Sequence, residues 1–216
     1  MNIILLGPPG AGKGTQGDNL AKNLKLFKVS SGDLLRKEIK NETLVGKKIK
    51  SLIDDGLLVS DDLINNLIEK ILSNKNSFNN LIFDGYPRNL DQARNLDYLL
   101  KKHNQKITFV LSLNVNENII IKRILGRQVC SKCGLIFNKF FNPPQKEKYE
   151  CLLKHLKTRS DDNEKTIKNR FNTYSRNTLP ILNYYHKQGL LYKLDGMREI
   201  HEIYKEIRGI ISSLES

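Results

Sequence analysis

The sequence has little cysteine, only three residues among 216, and no apolar run near the roughly twenty residues that cross a bilayer. A disulfide scaffold and a membrane-spanning protein are therefore excluded as classes. The start carries no charged-then-apolar leader, since its first apolar run is short. The expectation is a soluble chain in the reducing cytoplasm, with no membrane partner and as a monomer. Acidic residues are scarce relative to basic ones, 23 Asp+Glu against 36 Lys+Arg, for a net charge of +13. Yet no basic block is interleaved with aromatics, which a single-strand groove would need. The lysines fall in helical stretches such as Lys22–Lys25 and Lys47–Lys50, where they read as solvated faces, so no nucleic-acid partner is expected. An Asn-Lys-x-Asp stretch, as a guanine-reading switch would carry, is also missing.

What is present is concentrated in the first fifteen residues. Asn2-Ile3-Ile4-Leu5-Leu6 is a short apolar strand, and Gly7-Pro8-Pro9-Gly10-Ala11-Gly12-Lys13-Gly14-Thr15 follows it and opens a helix. Gly7, Gly12 and Lys13 fall at the spacing of a phosphate-binding loop. Glycines let successive N–H groups point at one anion, and the helix start adds the positive end of its dipole. Lys13 supplies an ammonium able to follow the β- and γ-phosphates. Because Gly14 follows Lys13 and the hydroxyl comes at Thr15, the loop looks like those of nucleoside monophosphate kinases.

Ser30-Ser31-Gly32-Asp33 offers caps to a helix that carries Arg36, and a second helical stretch leads to Gly56-Leu57-Leu58-Val59. Leu81-Ile82-Phe83-Asp84 is an apolar strand ending in a carboxylate, the place where a phosphate-loop enzyme orients magnesium through water. It runs on as Gly85-Tyr86-Pro87-Arg88-Asn89, with Gln92 one turn into the next helix. The arginines sit singly beside glycine, proline or aspartate, which suits anionic ligands held one group at a time.

With these stretches in order, the chain resembles the adenylate kinases in their long, lid-bearing form, from Asn2 to about Gly196. The resemblance implies an α/β phosphate-loop fold with a five-stranded parallel sheet. It implies a core of residues 1–29, 60–125 and 164–216, a monophosphate-binding insertion at 30–59 and a small β-rich lid at 126–163. The implied reaction is ATP + AMP = 2 ADP with Mg²⁺. ATP would be held by Gly10, Ala11, Gly12, Lys13, Gly14 and Thr15, by Arg123 and Arg127, by Ile136 and Phe137, and by Arg198. AMP would be held by Ser31, Arg36, Leu57, Leu58, Val59, Gly85, Arg88 and Gln92, and by Arg159 and Arg170, which would reach the transferring phosphates when the lid closes. Lys13, Arg88, Arg127, Arg159 and Arg170 would form the catalytic cage, with Asp161 and Asp162 at its hinge and Asp84 on magnesium through water.

Arg123 and Arg127, four apart, are expected to share one helix face. Asp161 and Asp162 serve either as hinge acids or as caps of the following helix, and Pro180 should end or kink that helix. Cys130-Ser131-Lys132-Cys133-Gly134 has the form of a zinc-knuckle turn, with Cys151 as a third ligand. Lys154 stands where a fourth ligand would be expected and His155 is next to it, so the alternatives are a structural Zn²⁺ site and three reduced thiols. A knuckle-type nucleic-acid binder, a phosphate-loop ATPase or GTPase, and a UMP, CMP or GMP kinase are the competing functions.

Overall fold

The computed structural model describes residues 1–73, 79–144 and 153–215. In chain order its elements begin with β1 (Asn2–Leu6), α1 (Lys13–Leu24), β2 (Phe27–Ser30), α2 (Ser31–Lys40), α3 (Leu44–Asp54) and α4 (Asp61–Leu72). They continue with β3 (Leu81–Asp84), α5 (Leu90–Lys102), β4 (Phe109–Asn114), α6 (Glu117–Leu125), β5 (Arg127–Cys130) and β6 (Ile136–Asn138). The chain finishes with β7 (Leu156–Lys157), α7 (Glu164–Thr173), a π-helical segment Tyr174–Thr178, α8 (Leu179–Lys187), β8 (Leu191–Asp195) and α9 (Ile200–Glu215).

The central sheet has the order β2-β3-β1-β4-β8 and all its pairings are parallel, as the sequence implied. A parallel sheet covered on both faces needs strands that are apolar on both sides, and all five residues of β1 are buried. Ile3 and Leu5 pack with Leu20 of α1 and with Ile203, Ile207 and Ile211 of α9. Ile4 and Leu6 pack on the opposite face with Ile64 and Ile68 of α4, Leu96 and Leu100 of α5, and Ile181 and Tyr185 of α8. Because the strands run the same way, their carboxyl ends share one edge, and the Gly7 loop and the Asp84-Gly85 turn emerge there together.

Two segments depart from this layering. Between β2 and α4, α2 and α3 pack against each other: the Ser30 hydroxyl accepts from Asp33 N–H at 3.3 Å and Thr43 Oγ1 accepts from Gly46 N–H at 2.9 Å, each capping its helix. Between α6 and α7, β5 pairs antiparallel with β6 and β7 in a separate three-stranded sheet.

Two local expectations are corrected and a third is met. Arg123 and Arg127 do not share a helix face, because α6 ends at Leu125, Gly126 caps it, and Arg127 opens β5 opposite Asn138. The cap of α7 is Asn163, whose Oδ1 accepts from Thr166 N–H at 3.0 Å, and this leaves Asp161 and Asp162 to pair elsewhere. The regular turns of α7 do end ahead of Pro180, as expected: they stop at Thr173 and the π-helical segment Tyr174–Thr178 precedes the proline. Pro180 sits in the first turn of α8, where its missing N–H costs nothing, and the π-helical segment absorbs the change of register ahead of it.

Candidate active site

The loop after β1 turns back on itself through three glycines in the left-handed region, Gly7 at φ 140°, Gly10 at 78° and Gly12 at 96°. At Gly7 a side chain is excluded by space as well as by strain, since a Cβ would come 2.7 Å from the carbonyl oxygen of Leu113. Gly12 is the N-cap of α1 and brings no side chain to its first N–H groups, so these are left for an anion. Lys13 reaches back over the loop and donates to the carbonyls of Gly7 at 2.7 Å and Pro8 at 2.9 Å. Burial lowers its pKa to about 8, with Asp84 working in the opposite direction.

Gly10, Ala11, Gly12, Lys13, Gly14 and Thr15 line one cleft of about 400 Å³, together with Asp84, Gly85 and Arg88. Its lining also includes Arg127 of β5, Ile136 and Phe137 of β6, Arg159 from the connection after β7, and Arg170 of α7. The three-stranded sheet lies over the loop, since a Cβ on Gly14 would sit 3.1 Å from Ile136 Cδ1. Arg36 enters from α2.

The guanidinium groups are paired unequally. Arg127 forms a two-pronged fork with Asp162, its Nε donating to Oδ2 at 2.8 Å and its second nitrogen to Oδ1. Burial opposes this charge, but the fork outweighs it and the Arg127 pKa is raised. Arg170 donates to Asp161 Oδ2 at 3.1 Å and lies 3.5 Å from Asp162. Burial opposes the negative charge on Asp161 too, but Arg170 and the neighbouring arginines hold its carboxyl below the usual range. Arg36 donates to Asp33 at 2.6 Å, whereas Arg159 comes only within 3.7 Å of that carboxylate. Burial, followed by the repulsion of Arg127, brings both Arg159 and Arg170 down to about 10, still fully protonated at neutral pH. Burial also lowers the Arg88 pKa. The cleft is a partly desolvated site with an excess of positive charge.

On the α2 side, Arg88 Nε donates to the Gly85 carbonyl at 2.7 Å, and the Ser31 hydroxyl donates to the same oxygen at 2.5 Å. The Arg88 backbone is gripped at both ends: its N–H donates to Gln92 Oε1 at 2.7 Å, and its carbonyl accepts from Thr178 Oγ1 at 2.9 Å. A small apolar cavity beside them is lined by Ser31, Leu57, Leu58, Val59, Gly85 and Gln92.

At the opposite end of the cleft, Arg123 donates to the Gly196 carbonyl at 2.8 Å and lies over the Phe141 ring, 5.4 Å from its centroid. Arg198 lines the cleft but is turned to the acids of α9, 2.7 Å from Glu206 and 3.6 Å from Glu202.

Sequence reasoning missed Asp33 as the partner of Arg36, Phe141 as the partner of Arg123, and Asp61, Asn89 and Thr178 as the groups that hold the Arg88–Gln92 turn. The spacing of Asp33 and Arg36, three apart on a helix, was a usable signal. So was that of Asn89 and Gln92, also three apart, whereas Phe141, Asp61 and Thr178 meet their partners only by folding.

The oxygen donors suit a hard divalent cation beside the loop: the Asp84 carboxylate would lie 3.6 Å from a Cβ on Gly14, and Thr15 follows directly. In the three-stranded sheet Cys130 is buried and Cys133 exposed, on a turn closed by Gly134 N–H donating to the Cys130 carbonyl at 2.8 Å. Cys151 lies outside the described residues. Among the described residues, no three His, Cys, Asp or Glu side chains are grouped to hold an ion. No helix among them is long and apolar enough to cross a membrane.

Residues 5–190 match the family model for adenylate kinase. An adenylate kinase of Pelagibacter ubique is 45% identical over 98% of this chain and 99% of its own length. One of Enterococcus faecalis is 40% identical over 98% and 99%, and one of Archaeoglobus fulgidus is 38% identical over the whole of both.

Proposed function

The chain belongs to the adenylate kinase family, whose members interconvert ATP plus AMP with two ADP and use ATP with magnesium, and we propose that here the phosphoryl group passes in line within the Lys13 and arginine cage. The observation that carries this reading is the surplus of cations in one cleft, where Lys13 falls to about 8 and Arg159 and Arg170 to about 10. Such a site is unfavourable when empty of anions and favourable when phosphates enter, and the transition state for transfer carries its charge on the equatorial oxygens.

The loop N–H groups of residues 10–15 and Lys13 hold the donor phosphates. Arg123 and Phe141 take the donor base with Ile136 and Phe137, and Arg198 reaches it after release from α9. Arg36 and Arg88 bind the acceptor phosphate. Ser31, Gly85 and Gln92 face the acceptor base in the small cavity walled by Leu57, Leu58 and Val59. Arg127, Arg159 and Arg170 meet the transferring group, with Asp161 and Asp162 keeping two of them aimed. Magnesium held through water by Asp84 neutralises charge on the donor phosphates. No side chain becomes covalently modified, because transfer asks chiefly for alignment and charge stabilisation.

In this reading residues 30–59 form the acceptor-binding insertion, 126–163 the lid and the remainder the core. What supports the lid is that Arg127 opens β5 of the separate three-stranded sheet and Arg159 follows two residues after β7, its last strand in sequence. Closure keeps water, itself a competent acceptor, away from the donor. The protein works as a monomer in the cytoplasm on free nucleotides. Structural zinc would be held by Cys130, Cys133, Cys151 and His155. The alternative is three reduced thiols, and among the described residues no three His, Cys, Asp or Glu side chains are grouped to hold an ion. Metal analysis of the purified chain decides between about one zinc per molecule and reduced thiols.

Incubation with ATP and each monophosphate, followed by quantification of ADP, tests the whole reading. ADP should form with AMP and hardly at all without it. Equal ATP consumption in both would show a hydrolase.

A further inference from the structure

We infer that Asp61 is a positioning residue for base selection, setting which way round the Gln92 amide lies and so which purine edge the acceptor cavity takes. This rests on the reading above that Gln92 faces the acceptor base.

Asp61 opens α4, where an acid would ordinarily be assigned to the helix dipole. Its carboxylate is instead committed across the fold to α5: Oδ1 accepts from Gln92 Nε2 at 2.7 Å, and both oxygens accept from Asn89 Nδ2 at 3.0 Å. Asn89 in turn caps α5, its Oδ1 accepting from Gln92 N–H at 2.8 Å. Gln92 is 2% exposed, and its Oε1 accepts from Arg88 N–H at 2.7 Å.

A glutamine amide can usually be turned over at little cost, because its two ends are alike in shape. Here the turn is blocked twice. An ionised carboxylate can only accept and a backbone N–H can only donate, so the reversed amide would set oxygen against Asp61 and NH₂ against Arg88 N–H. Two of the four hydrogen-bonding valences of the amide are used in this way. One N–H and one lone pair remain, on a side chain that lines a small cavity with Ser31, Gly85 and Arg88 on its polar side and Leu35, Val59 and Ile64 among its apolar walls. A 6-aminopurine offers a donor on its exocyclic nitrogen next to an acceptor ring nitrogen. A 6-oxopurine offers the reverse pair. An amide of fixed sense accepts the first and leaves two buried polar groups in conflict with the second, whereas an amide free to turn would take both.

The test is Asp61→Asn, nearly isosteric, whose carboxamide meets Gln92 with either end and leaves Arg88 N–H as the remaining restraint. Steady-state kinetics with AMP and with IMP should show the AMP-over-IMP ratio of kcat/KM falling roughly tenfold or more, and the KM for ATP serves as internal control. A ratio unchanged from the parent, with kcat and KM for AMP worsening together, would show that Asp61 merely braces the turn and would overturn the inference. Asp61→Ser, whose hydroxyl also either donates or accepts, gives the same readout should the first variant not fold. Gln92→Ala separates the two levels. If it leaves both the KM for AMP and the ratio untouched, Gln92 does not face the base and the underlying reading fails. If it collapses the ratio while Asp61→Asn does not, only the role of Asp61 fails.

Discussion

Lys13 donates to the carbonyl of Gly7 at 2.7 Å, so the ammonium rooted in the glycine loop is held by that loop before any phosphate arrives. The grip keeps a long side chain from wandering, but burial still lowers its pKa to about 8.

A triphosphate favours the charged form, so ATP binding should take up protons once the pH passes about 8. Calorimetric titrations at about pH 9 in buffers of different ionisation enthalpy should show this uptake, and Lys13→Arg should remove it because a guanidinium stays charged. The Kd for ATP should weaken as pH rises through this range. Linkage has the opposite sign for folding. The folded pKa lies below the ordinary value of 10.5, so the unfolded chain holds the proton longer, and the ligand-free protein gains stability from this group between about pH 8 and 10.5. Buffer-independent heats would overturn the assignment.

Arg88 is anchored through its backbone to Gln92 and Thr178, so removing its side chain should spare the fold. Arg88→Ala should lower kcat roughly 10²- to 10³-fold with little change in melting temperature. Unaltered turnover would place the acceptor phosphate elsewhere.

Asp162 is 2% exposed on its side chain and faces both Arg127 and Arg170. Asp162→Asn leaves buried guanidinium charge without its counterion and should cost about 3 kcal/mol in denaturant melts of the ligand-free protein. Saturating ADP should narrow that gap, since phosphate charge takes over part of the carboxylate's task. A gap of the same size with nucleotide would mean that these arginines do not meet phosphate.

Gly85 stands at φ 75°, and a Cβ there would come 2.9 Å from Ser31 Oγ and 3.2 Å from the Arg88 guanidinium. Gly85→Ala should therefore raise the KM for AMP roughly tenfold or more while the KM for ATP stays within about twofold. Equal effects on both substrates would argue for global strain in place of a local one.

The phosphate loop was legible in the sequence because its chemistry is local. Glycines at Gly7, Gly10 and Gly12 and the lysine after them act through the backbone of their own segment. Asp84 was legible for a similar reason, as the end of an apolar strand aimed at the same sheet edge. The helix face assigned to Arg123 and Arg127 was not, because periodicity alone does not reveal that Gly126 ends α6 and that Arg127 pairs with β6. Asp161 and Asp162 had two plausible tasks in sequence. Asn163 took the cap, and the two acids went to the arginines.

By itself the sequence determined the order of strands and helices, the bend that receives phosphate and the arginines available to a phosphate ligand, all of which depend on a residue and its near neighbours. Only the tertiary structure decided how charge is balanced and which way a polar group faces. Arg159 nears Asp33, and Asp61 turns toward Gln92 instead of serving its own helix. The physical reason is that backbone geometry is set by adjacent residues, whereas a buried hydrogen-bonding group takes its partner from whichever distant segment packs beside it.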